Sequence, residues 1–74
     1  MLKFMNTEYT AIVKEDNDWW IGWIEEIPGV NCQEKTRTQL ISSLREVLKE
    51  ALEFNRAEAK LAAGKGYMEE RIAV

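Results

Sequence analysis

The chain has 74 residues, 46% hydrophobic and 31% charged, a soluble globular mixture too apolar for intrinsic disorder. That length predicts one domain, residues 1–74, with a thin core that oligomerisation commonly supplements. The net charge of −3 and a pI near 4.9 disfavour direct nucleic-acid binding, which needs a basic patch, and suit a basic protein partner better.

In chain order, Glu8 to Lys14 (EYTAIVK) is rich in β-branched and aromatic residues and predicts a strand. Glu15-Asp16-Asn17-Asp18 is a turn cluster whose short side chains bond their own backbone. Trp19 to Ile27 predicts a second strand, and the short turn makes the pair an antiparallel hairpin. Side chains alternate along a strand, so Trp19, Ile21, Trp23 and Ile27 share one face, and Trp20, Gly22 and Ile24 share the other. Neither face is plainly polar.

Pro28-Gly29 ends the strand, because proline donates no ladder bond and glycine permits a sharp turn. Val30 to Gln33 predicts a short third strand. Thr36-Arg37-Thr38-Gln39 has the form of a capping box, a threonine N-cap with glutamine three residues on. Leu40, Ile41, Leu44, Val47, Leu48, Ala51 and Leu52 then recur at three- and four-residue steps and predict an amphipathic helix. Past Phe54 the helix either runs on or bends near Asn55, and Gly64 is its natural stop. Tyr67 to Val74, ending RIAV, predicts a last short strand. The expected fold is α+β, ordered β-β-β-α-β, with one main helix packed on one face of an antiparallel sheet.

Only one face fits under that helix. The face of Trp19, Ile21 and Trp23 is expected to be core, which leaves Trp20 and Ile24 as anchors on the reverse face. Tryptophan suits that role, burying much area with few rotatable bonds. Glu15, Asp16, Asp18, Glu25 and Glu26 form the expected acidic rim, which steers a basic partner. Glu25 and Glu26, adjacent on a strand, point to opposite faces and do not share a metal.

Chemistry is sparsely represented. Histidine, the usual general base and commonest metal ligand, is absent. The lone Cys32 has no histidine to activate it, forms no internal disulfide and reads as a small apolar filler in a reducing compartment. No metal, phosphate-loop or nucleophile-elbow motif occurs. No cofactor is expected, and no enzymatic activity. No apolar run is long enough to span a membrane, and MLKFMNTEYT lacks the core of a secretion signal, so the expected location is cytoplasmic.

Tyr9-Thr10-Ala11-Ile12-Val13, the acidic turn, and Trp19 through Gly29 together resemble the HicB-like antitoxin family. Glu26-Ile27-Pro28-Gly29 is similar to that family's E-L-P-G segment. Gln33 and Thr36-Arg37 fall where its Q-G-x-T segment belongs, and Leu44 and Leu48 continue its helix. The resemblance spans residues 8 to 54. Glu34 replaces the family's glycine before the helix, and Gln39-Leu40 replaces a common Glu-Ala.

The resemblance implies a trimmed ribonuclease H-like domain without catalytic carboxylates. Such a domain binds and masks a small basic mRNA-cleaving toxin of the HicA type. Many members also carry a C-terminal DNA-binding module; none is expected here, and operator binding is not carried over. The alternative is a free-standing oligomeric module, a dimer or tetramer, in which the reverse sheet face and the RIAV edge pair with another copy.

Overall fold

The computed structural model describes residues 8–74; residues 1–7 of the expected domain lie outside them. The hairpin forms from β1 (Ala11–Asp16) and β2 (Trp19–Ile24). Its turn is tighter than the acidic cluster suggested, because Glu15 and Asp16 stay in β1. Asn17 takes the left-handed conformation, φ 60°, that the tight connection requires and that asparagine tolerates. β3 (Asn31–Glu34) pairs with β2, giving a three-stranded antiparallel sheet in the order β1-β2-β3.

β2 ends at Ile24, three residues before the expected Ile27. The Ile24 N–H donates to the Val30 carbonyl at 3.0 Å and closes a tight loop. Within that loop Gly29 has φ 91°, a turn conformation that suits glycine. Ile27 thereby leaves the pleat and packs against the core from the loop.

The helix, α1 (Arg37–Ala63), begins where the capping pattern places it. Thr36 Oγ1 accepts from the Gln39 N–H at 3.1 Å and satisfies one of the orphan donors of the first turn. Gly64 stops the helix at φ 75°, with its N–H donating to the Lys60 carbonyl at 3.2 Å. The helix runs on without interruption through Asn55.

The core is Ile24, Val30, Leu40 and Leu44, with Ala11, Val13, Trp20, Ile27, Cys32, Val47, Leu48 and Ala51 packed around it. The helix therefore covers the face of Trp20, Gly22 and Ile24, the reverse of the expected assignment. Close approach decides it. A Cβ on Gly22 would lie 3.1 Å from Leu40 and 3.2 Å from Leu44, so the two leucines descend onto bare backbone. Ala11, Val13, Gly22 and Cys32 make a shallow bed that lets a helix pack closely.

The helix leans over β2 and β3 and touches β1 least. Ser43 Oγ donates to Glu34 Oε2 at 2.7 Å and ties the helix to β3. Only its first half is seated: from Glu53 to Ala63 every residue is exposed. The expected last strand does not form. Residues 64–74 hold no strand, because the helix carries them past the sheet's end before releasing them. Lys60 Nζ lies 3.5 Å from Glu69 Oε2, on the outside of the helix's last turns.

Candidate functional site

The pleat that puts Trp20 and Ile24 under α1 puts Trp19, Ile21 and Trp23 on the opposite, uncovered face. The register builds that face in rows. Ile12 faces Trp23, which faces Asn31; Lys14 faces Ile21, which faces Gln33; Asp16 faces Trp19. Directly opposed residues on one face are nearest neighbours, so the two tryptophans and two isoleucines form a continuous apolar band. Ile12 is 38% exposed, Trp19 38% and Trp23 40%, so the band meets water along its length. Contiguous apolar surface of this kind marks an interaction site more often than scattered hydrophobes do.

The two expected anchors are on the wrong side for such a site. Ile24 is 5% exposed and belongs to the core. Trp20 is half-buried under the helix, opposite Glu15 on one side and Glu34 on the other. Trp19 and Trp23, expected beneath the helix, are the exposed pair. The signal that identifies the covered face is Gly22: the helix approaches where a side chain is missing, and a tryptophan face would hold it off.

The five carboxylates are exposed but do not form one rim. Asp16 and Asp18 stand at the turn end of the hairpin. Glu25 and Glu26 stand at the other end, separated by the roughly 17 Å length of a six-residue strand. Glu15 is on the helix side of the pleat, away from the aromatic band. The band therefore has acidic ends rather than an acidic surround, with Lys14 on the face itself.

Three contacts shape its borders. Lys35 Nζ sits 4.2 Å from the centre of the Trp19 ring, a cation–π contact that holds that ring's orientation. Glu26 Oε1 accepts from the Thr10 N–H at 2.9 Å, and the Glu25 N–H donates to the Thr10 carbonyl at 2.8 Å. The hydrogen bond from the Thr10 backbone lowers the Glu26 pKa, against a smaller opposing effect of burial. That carboxylate is thereby held charged and in place.

Comparison with family models, with curated proteins and with solved structures finds no match.

Among the described residues, no group of three or more His, Cys, Asp or Glu is arranged to hold a metal ion. Burial raises the Cys32 pKa, and the nearby Glu34 charge raises it further, which makes the thiol a poor nucleophile. No described helix is long and apolar enough to cross a membrane.

Proposed function

We propose that this chain is a non-catalytic docking domain that masks a small basic ribonuclease of the HicA type in the cytoplasm. The observation that carries the reading is the uncovered band of Ile12, Trp19, Ile21 and Trp23. Its acidic ends supply the electrostatic half of the match: Asp16 and Asp18 at one end and Glu25 and Glu26 at the other orient a cationic partner, while the aromatic band supplies the desolvated centre. Masking an active site needs shape and charge only, in keeping with the absence of histidine. The hairpin's resemblance to HicB-like antitoxins names the partner class.

The test is co-expression with a small basic ribonuclease encoded beside the gene. The two chains should co-purify with the nuclease silent, and Trp23→Lys should release an active nuclease. A domain that purifies alone, beside an uninhibited nuclease, would count decisively against the reading.

A free-standing oligomeric module is the second reading. It is favoured by the projecting half of α1, on which Phe54 is 64% exposed and Leu61 77%.

A further inference from the structure

The side of the sheet away from the aromatic band holds an incomplete arrangement. Among the described residues β1 pairs with β2 alone, so no described strand lies along its outer edge. Because α1 leans toward β3, a groove of about 470 Å³ opens between that edge and the helix. Glu8, Tyr9, Ala11 and Ile24 line its sheet side, Ile41, Leu44, Leu48 and Leu52 its wall, and Arg45 and Lys49 its rim. An open strand edge beside an apolar trough is the setting in which an added strand gains ladder hydrogen bonds and side-chain burial together.

The chain carries a segment of matching pattern. In Glu70-Arg71-Ile72-Ala73-Val74, a strand would place Glu70, Ile72 and Val74 on one side. Ile72 is 85% exposed and Val74 is fully exposed. Ile72 and Val74 suit the leucine wall, and Glu70 suits Arg45 and Lys49 on the rim.

In the structure the segment stands off its own groove, with Ile72 and Val74 exposed. Glu69 is held beside Lys60. Five further residues span at most about 17 Å, enough to reach Leu52 about 12 Å along the helix, but not Leu48 at about 18 Å or Leu44 at about 24 Å, where the wall meets the sheet. The exposed half of α1, from Glu53 to Ala63, is an arm that carries the segment outward.

We infer that the outer edge of β1 and its groove receive residues 70–74 of a second copy, the two copies exchanging these segments in a symmetric dimer. A two-fold exchange fills both grooves and leaves both aromatic bands outward. Pairing the arms also gives Phe54 and Leu61, two turns apart on one side of the helix, a surface to cover them.

The test uses the full chain, with sedimentation and an isotope-filtered NOE experiment on a mixture of labelled and unlabelled protein. The expected result is a dimer with intermolecular contacts from the Ile72 and Val74 methyls to those of Leu48 and Leu52. Ile72→Asp, which alters an exposed residue, should weaken the dimer by roughly 100-fold, leaving the circular dichroism of the helix unchanged. Trp23→Lys should leave the dimer intact. A monomer at millimolar concentration, contacts that prove intramolecular, or a dimer lost in Trp23→Lys and kept in Ile72→Asp would each overturn the inference. Nuclease masking is read separately through Trp23, so either proposal fails without the other.

Discussion

Gly22 and Leu40 meet so closely that a side chain on the glycine would stand 3.1 Å from the leucine's Cδ2, and 2.9 Å from the Ile12 carbonyl oxygen as well. The second contact is with backbone and cannot be relieved by turning a rotamer. Gly22→Ala should therefore destabilise the fold by about 1 to 3 kcal/mol, despite the lower chain entropy that alanine brings to the unfolded state. Gly22→Val should cost more. Urea denaturation of the three proteins checks the order; an alanine variant as stable as the parent would mean that the helix does not sit where the core places it.

Stability should be concentrated in the first half of α1. Leu44 is 2% exposed and Phe54 64%. Leu44→Ala is expected to cost about 2 to 5 kcal/mol, by lost transfer energy and a residual cavity. Leu48, half-buried at the groove, should cost less when truncated. Phe54→Ala should shift monomer stability by no more than about 0.5 kcal/mol. Denaturation at several protein concentrations separates these values from any effect on association.

Much of this architecture is legible in the sequence, because local signals and global packing agree there. The strands are rich in β-branched and aromatic residues, Thr36 caps the helix, Gly64 ends it, and Leu40 and Leu44 lie on its buried stripe. The choice of sheet face is not legible from apolar content, since both faces of β2 are oily. The bulkier face looks like core, but a helix packs where it comes nearest, and Gly22 marks that place. The fate of the tail is hidden for a related reason. RIAV has strand character, but a strand needs an edge within reach, and the length of α1 past Asn55 decides that. The scattering of the carboxylates follows from strand length and pleat, which a list of acidic residues does not convey.

The Thr36 cap offers a local test of the helix start. Its side-chain oxygen satisfies the Gln39 N–H at 3.1 Å. Thr36→Ala should lower stability by about 1 kcal/mol, and Thr36→Asp should retain most of it, because aspartate caps as well and favours the positive end of the helix dipole. Equal losses from both would exclude the capping role. Thermal unfolding at fixed pH reads the difference.

Glu26 gives the pH prediction. Its folded-state pKa lies below the ordinary value of 4.5, chiefly because the Thr10 N–H stabilises the carboxylate. A depressed folded value means the contribution is fully present above the ordinary glutamate range and is lost as pH falls through the folded pKa. Glu26→Gln keeps the geometry and removes the charge, so the gap in melting temperature between parent and variant should narrow on acidification below 4.5. A gap that stays constant through that range would show that the Thr10 contact does not depend on the charge.

Which tryptophan faces outward is read most directly by a calorimetric titration against the proposed partner, a small basic ribonuclease encoded beside the gene, with the parent, Trp23→Ala and Trp20→Ala compared. The prediction is tight binding by the parent, at least roughly 30-fold weaker binding by Trp23→Ala with its melting temperature nearly unchanged, and a loss of about 2 kcal/mol of stability in Trp20→Ala. Binding that survives Trp23→Ala and is lost in a stably folded Trp20→Ala would contradict it, as would the absence of any binding by the parent.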